Sequence, residues 1–505
     1  PGVNPISIMG PVLQVLVGSD RFLCVHGMDK QRKSEAPTLQ QVIVPEAYLE
    51  DNWPIRHASL SDCGTLVAVA GTRGFAVYDA RAQTWRLFGD VNQERGIQCR
   101  GMTWLGKAIL IVNFTPARSS AREGAHELQI YDVDYLDRTS LLCTHPLVSK
   151  PDVMDCRGNH FLMLTQSQEM LRIDVLSFSR APGGAALKVE SRQELVIISA
   201  KTAPVLVSMA LDGAYSDAGA PQAAVVLHAD GELCLLDLDS GAEARIKRGI
   251  ENFWLERIGS DWKYEGPAPA ASAEPGQPAG GPQPPKPQEL WIYGERGMHS
   301  IHLSNYGFKT PNGAAVAKEY SEVTDMGPEL EFDSEVYPIT VCEPLFSVIG
   351  IAQQFLKVDS TRRAMFQIQP KAQSILSALM RQQLRTDASL DNAVRLASSA
   401  QGHPHFAHSL EWLVFTLLNE DSARPDHEEA VLLERSIQVL QKFPEYLDVI
   451  VRVARKTDPS LWPTLIRYTG RPTSLFEEAM NNWSFKTASC FLVVVETIEG
   501  ADIGQ

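Results

Sequence analysis

The sequence predicts a mixed chain, β then α: a divergent, WD40-like β-propeller over residues 1–368, followed by an α-solenoid over 369–505. Three observations predict it. A two-run apolar unit with a short polar turn recurs through the first part. The apolar period changes from strand-like to helical at about residue 370. The 505 residues also exceed what one compact domain holds.

The repeating unit appears as "LVAVAGTRGFAVYD" (66–79), "FLMLTQSQEMLRIDV" (161–175), "AVVLHADGELCLLDL" (224–238) and "LWIYGERGMHSIHL" (290–303). "KAILIVNF" (107–114) and "HELQIYDVD" (126–134) form a looser copy with a longer connection. Gly74, Gly231 and Gly297 sit where a tight hairpin needs positive φ, which glycine adopts without a Cβ clash. Asp79, Asp174 and Asp237 fall near the end of the second run. Hairpins at this spacing match propeller blades of about 40–45 residues, so about six or seven blades fit. No Trp-Asp dipeptide occurs, hence the divergent label. An array of β-sandwiches is the alternative for this half. "EGPAPAASAEPGQPAGGPQPPKPQ" (265–288) carries nothing able to build a core, and reads as a polyproline-like excursion between strands.

In the second part, Leu410, Leu413, Val414, Leu417 and Leu418 follow the i, i+3, i+4, i+7, i+8 pattern of one helix face. Leu447, Ile450, Val451 and Ala454 do the same. Asp458 before Pro459 reads as a helix start, as do Pro404 and a capping box of Ser474 with Glu477. About seven or eight short-linked helices are expected, lying antiparallel to their neighbours in a solenoid. The apolar last helix, "TASCFLVVVETIE" (487–499), leads to the expectation of further helices beyond it.

Composition narrows the function. The formal charge is −15 and no dense basic tract exists, which argues against nucleic acid as a partner. "DKQRK" (29–33) reads as a solvated loop. The eight cysteines (24, 63, 99, 143, 156, 234, 342, 490) form no CxxC pair, and Cys234 reads as a small hydrophobe in a strand. No signal peptide is visible and no apolar run is long enough to span a bilayer, so the cytosol is the expected compartment.

Three constellations invite chemistry. His57, Ser59, Asp62 and Cys63 lie close in sequence, but nearness in sequence does not give a serine its base, and "SDCG" (61–64) reads as a turn. His403, His405 and His408 lack an accompanying carboxylate or cysteine at ligand spacing. Arg452, Arg455 and Lys456 occupy the last turn of a helix, where cations complement the macrodipole. They are also the candidates for contact with an acidic partner or phospholipid. No P-loop or GxGxxG is present, and no catalytic, cofactor-binding or metal-binding residue is expected.

Particular strings carry more information. "YLEDNWPIR" (48–56), "GTRGFAVYD" (71–79) and "WRLFGDVNQE" (85–94) resemble the Ric-one family. So do "FPEYLDVIVRVARKTDPSLWPTLI" (443–466), "GRPTSLFEEAM" (470–480) and "TASCFLVVVETIE". The resemblance implies the large subunit of a guanine-nucleotide exchange complex, acting with a Rgp-one-type subunit on a Golgi Rab GTPase of the Rab-six type. It implies retrograde endosome-to-trans-Golgi transport, and a cytoplasmic protein peripheral on Golgi membranes. Such a factor forms no covalent bond; it favours the nucleotide-free GTPase over its nucleotide-bound state. The family carries more propeller before this region and more solenoid after it. The competing readings are a coat or tethering scaffold without exchange activity, and an enzyme using residues 57–63.

Overall fold

The computed structural model describes residues 12–27, 37–116, 124–167, 170–180, 186–198, 205–211, 221–255, 289–295, 297–303, 308–309, 316–317, 329–330, 336–342, 347–357, 364–386, 390–403, 405–423 and 427–500. The Pro-rich stretch, "DKQRK" and Pro404 lie outside them.

Among the described residues, seven antiparallel sheets of three or four strands follow one another along the chain, and a separate two-stranded pair, Phe308–Lys309 with Val316–Ala317, falls between the third and fourth strands of the sixth. The first strands of the seven are Val12–Val17, His57–Leu60, Cys99–Leu105, Val153–Arg157, Leu206–Leu211, Ile250–Leu255 and Val336–Cys342. Consecutive first strands touch from the first blade to the fifth, and the first strand of blade one touches that of blade seven. The ring therefore closes, with the first strands innermost. Leu13, Val25, Ile339, Cys342 and Ile349 form the core at the closure, so blades one and seven meet through side-chain packing. Among the described residues those two blades have three strands and the other five have four.

The quoted apolar units are the second and third strands of blades. They form Leu66–Ala70 with Ala76–Asp79, His160–Gln166 with Met170–Arg180, Ala223–His228 with Leu233–Asp237, and Glu289–Gly294 with Gly297–His302. Ala108–Thr115 and Ala125–Tyr131 are the same pair in blade three. Successive strand residues point to opposite faces, and both faces of a blade are covered. Thus Val67, Val69, Ala76 and Tyr78 pack towards blade one, while Ala68, Ala70, Phe75 and Val77 pack towards blade three. Two-sided burial is why these strands read as unbroken apolar runs. Gly74, Gly231 and Gly297 have φ of 61°, 82° and 85°, the left-handed region that their turns require.

Two indoles fasten neighbouring blades. Trp104 Nε1, on the innermost strand of blade three, donates to Ser59 O of blade two at 3.0 Å. Trp254 Nε1 of blade six donates to Ile339 O of blade seven at 3.2 Å. Both side chains are fully buried, so each supplies apolar area and a satisfied donor together.

Several details depart from the sequence reading. The run ending at Asp79 reads from the sequence as an outer strand, but Ala76–Asp79 is the third strand of its blade, and the short strand Thr84–Arg86 lies outside it. Asp79 and Asp237 do close the following turn, accepting from Arg81 N at 3.0 Å and from Asp239 N at 3.4 Å. Asp174 instead lies within a long strand, where Arg172 and Arg192 hold its buried carboxylate at 2.8 and 2.7 Å. The last strand, Ala364–Ser374, runs past residue 368: the alternation of Phe366, Ile368, Pro370 and Ala372 with polar residues continues to its end, and the strand stays paired with Ser347–Lys357 throughout.

Among the described residues, two helices sit within the propeller, α1 (Glu46–Asn52) and α2 (Val91–Arg95). The described residues after it form eight more: α3 (Leu376–Thr386), α4 (Asp391–Ala400), α5 (Phe406–Ala423), α6 (His427–Leu440), α7 (Tyr446–Lys456), α8 (Trp462–Thr469), α9 (Pro472–Asn481) and α10 (Phe485–Glu499). α3, α5, α7 and α10 touch in that order as one layer, and α4, α6 and α9 each pack on a member of it. One continuous core, from Leu376 to Val494, joins the two layers. Leu410, Leu413, Val414, Leu417 and Leu418 are all buried in it, as are Leu447, Ile450, Val451 and Ala454. Ile375, Ala378 and Leu379 pack against Trp254, Trp291, Met298, Val341 and Val348, which seats α3 on blades six and seven.

Asp458 does cap, accepting from Ser460 N at 2.9 Å, but it starts a 3₁₀ turn ahead of α8. The Ser474–Glu477 capping box does not form. Pro472 at the first helical position starts α9 two residues before Ser474, since its missing N–H and preset φ suit that place.

Candidate interaction surface

The residues that looked catalytic are structural. His57 and Ser59 lie on the innermost strand of blade two, where Ser59 is buried and its carbonyl receives Trp104. Asp62 and Cys63 lie in the turn, where Ser61 Oγ accepts from Leu66 N at 3.0 Å and approaches Cys63 Sγ at 3.4 Å. Burial pushes the His57 imidazole down to about 4, helped by the positive charges of Lys150, Arg100 and Arg56, so it is neutral at pH 7.

A neutral, half-buried histidine has a consequence for stability. In the unfolded chain it takes up its proton near 6.5, and in the fold only near 4. Its contribution is full above 6.5 and is lost as pH falls from 6.5 through 4. Burial lowers His126, His145 and His160 in the same direction. The thermal midpoint is therefore expected to fall steadily on acidification across this window. His57→Asn should flatten that dependence, and midpoints measured at half-unit steps of pH check both.

The three strings of the first half converge on one end of the propeller. Strands alternate in direction, so the linkers into a blade and the turn between its second and third strands share an end. α1 is the linker into blade two, residues 71–74 are its middle turn, and α2 is the linker into blade three. Tyr48 of α1 is buried; its hydroxyl accepts from Gly71 N at 3.0 Å and donates to Arg73 O at 3.2 Å. Asn52 O accepts from Thr72 N at 2.9 Å, and Thr72 Oγ1 donates to Trp53 O at 2.9 Å. The Asn52 side-chain amide donates to the buried carboxylate of Glu94 on α2. Burial raises that carboxyl above the usual range, with the nearby Asp51 charge adding to it, against the lowering effect of Asn52. Asp90 caps α2, accepting from Asn92 N at 2.9 Å, and Arg95 pairs with Asp51 at 2.7 Å. Above this fixed base Trp53 is 62% exposed and Val91 49%, beside exposed Glu50, Arg56 and Arg73. A rigid loop cluster with an exposed indole and mixed charge suits a docking surface and holds no nucleophile.

The basic cluster lies at the end of α7. Arg452 and Arg455 are exposed there. Lys456 Nζ pairs with the carboxylate of Glu411 on α5, which is almost wholly buried, and His408 Nδ1 stands 4.0 Å from the same group. Lys456 therefore ties two helices of one layer together. Lys456→Ala is expected to cost about 1–2 kcal/mol, because it strands a buried carboxylate. Arg455→Ala is expected to stay within about 0.5 kcal/mol, and urea denaturation separates the two. His403, His405 and His408 do not converge on a metal position. Among the described residues, the group that sequence reasoning missed is His228, Cys234 and Glu243, whose positions become neighbours only when three strands pair.

A closed seven-bladed ring with a two-layer helical array defines the class of propeller–solenoid proteins. Residues 18–371 match the family described as RIC1 second beta propeller domain, and residues 377–505 match the RIC1 C-terminal alpha solenoid region. The chain belongs to the RIC1 family, the one its strings resemble.

Similar proteins include the guanine nucleotide exchange factor subunit R06F6.8 of Caenorhabditis elegans, 22% identical over 100% of this chain and 37% of its own length. The guanine nucleotide exchange factor subunit RIC1 of Homo sapiens is 24% identical over 91% of this chain and 33% of its own length. The chain thus spans about a third of the length of the curated relatives it matches. Among solved structures, Kluyveromyces lactis Hsv2p aligns over 72% of this chain and 99% of its own, with a TM-score of 0.31 and 10% identity.

Proposed function

We propose that this chain is the propeller-to-solenoid part of a guanine-nucleotide exchange factor subunit. With a Rgp-one-type subunit it activates a Golgi Rab GTPase of the Rab-six type, in retrograde endosome-to-trans-Golgi transport. The observation that carries the reading is the match of both halves, in order, to RIC1 domains, with relatives named as exchange factor subunits.

Exchange of this kind needs no chemical active site. It needs a rigid surface that binds the nucleotide-free GTPase more tightly than the loaded one, since only differential affinity shifts the equilibrium. The cluster of α1, residues 71–74 and α2 supplies a rigid base with exposed Trp53, and the solenoid layers supply a second extended surface. Arg452 and Arg455 offer positive charge to an acidic partner or to the phospholipid of the Golgi surface, where the complex is peripheral and otherwise cytoplasmic.

The test is binding by the full-length subunit in complex with its Rgp-one-type partner. The complex is expected to retain nucleotide-free Rab over GTP-loaded Rab by at least about tenfold. Arg452→Glu with Arg455→Glu should weaken attachment to anionic vesicles. Equal retention of both nucleotide states would favour the second reading, a propeller–solenoid coat or tethering scaffold, which the shared architecture supports.

A further inference from the structure

In the fifth blade, His228 ends the second strand, Cys234 lies on the third and Glu243 starts the fourth. One imidazole nitrogen, the Cys234 thiol and one Glu243 carboxylate oxygen all lie within 4.8 Å of one another, and His228 Nε2 stands 3.3 Å from Glu243 Oε2. His228 and Cys234 are buried, whereas Glu243 opens to solvent. We propose that these three side chains form a zinc site, with the fourth position left to water.

The donor set argues for zinc. One nitrogen, one thiolate sulfur and one carboxylate oxygen suit a borderline-soft divalent ion, while magnesium and calcium take oxygen ligands. Tetrahedral zinc with bonds of about 2.0–2.3 Å brings its ligand atoms to within about 3.5 Å of one another, so sub-ångström side-chain movement closes the present spacing. Charge also balances: a thiolate, a carboxylate and a neutral imidazole offset the ion. Arg245, register partner of Cys234, does not compete, because its guanidinium is held by Glu232. Bound zinc would tie three adjacent strands of the blade. The exposed carboxylate places the open position at the surface.

The experiment is metal addition to the full-length subunit after treatment with a chelator. One Co(II) per chain is expected, with a thiolate-to-cobalt charge-transfer band and the d–d bands of a four-coordinate ion, displaced by Zn(II). Cys234→Ala should abolish the charge-transfer band. Glu243→Gln, at an exposed position that leaves the core intact, should weaken Zn(II) affinity at least about tenfold. Absence of stoichiometric Co(II), a charge-transfer band that survives Cys234→Ala, or unchanged Zn(II) affinity in Glu243→Gln would overturn the assignment. None of these readouts depends on exchange activity.

Discussion

Gly71→Ala is expected to lower stability by about 3 kcal/mol or more, among the largest effects of any single methyl group in the chain. A Cβ at Gly71 would stand 1.7 Å from Asn52 O and 3.2 Å from Pro54 O. Both obstacles are backbone, so no rotamer change relieves the contact. The same backbone oxygen accepts the Thr72 N–H, so moving α1 away would break the bonds that join Asn52 to Thr72 and Tyr48 to Gly71. Gly74→Ala combines a φ of 61° with a Cβ 2.2 Å from Glu94 Cγ, and should act in the same direction. Gly89→Ala is the control, since a Cβ there meets nothing within 4 Å. Chemical denaturation of the three variants tests the expectation, and a Gly71→Ala midpoint equal to that of Gly89→Ala would show that α1 and residues 71–74 are not fastened together.

The second large effect is expected at Trp104. Removing a fully buried indole costs about 3–5 kcal/mol, and Trp104→Ala also leaves the Ser59 carbonyl without its donor inside the ring. Trp104→Phe retains most of the packing and loses only the hydrogen bond, so a loss of about 1–2 kcal/mol is expected. Trp254 makes the equivalent contact to Ile339 between blades six and seven, so Trp254→Ala should match Trp104→Ala in size. A Trp104→Phe loss as large as that of Trp104→Ala would place the whole effect in the hydrogen bond and contradict the packing argument.

The sequence revealed the architecture where burial is two-sided. In blades two to six the middle strands are covered on both faces, so their apolar runs and left-handed glycines stand out. Blades one and seven were harder to read. Gln40 and Gln41 interrupt the third strand of blade one, and the strand ending at Ser374 alternates polar residues with apolar ones instead of forming an unbroken apolar run. Helix faces were legible because solenoid packing buries one side, as Leu410 to Leu418 show. Helix starts were less so: Pro472 overrode the Ser474 pattern.

The candidate interaction surface was visible only as family-specific strings. Its physical meaning is tertiary, since Tyr48, Asn52, Gly71 and Glu94 come from three separated segments. The His228 cluster left no signal, because its members are separated by spacings set by strand pairing. The basic residues of α7 stand out in the sequence, but the tie that Lys456 makes to α5 depends on Glu411, which only the fold buries beside it.

The most direct test of the proposed exchange activity is the rate of GDP release from a panel of Golgi and endosomal Rabs, followed with fluorescent GDP. The catalyst is the full-length subunit together with its Rgp-one-type partner. The predicted result is release from a Rab-six-type GTPase many times faster than its intrinsic rate, with other Rabs little affected. A folded complex that accelerates release from none of them would contradict exchange activity and leave this propeller and solenoid as a scaffold.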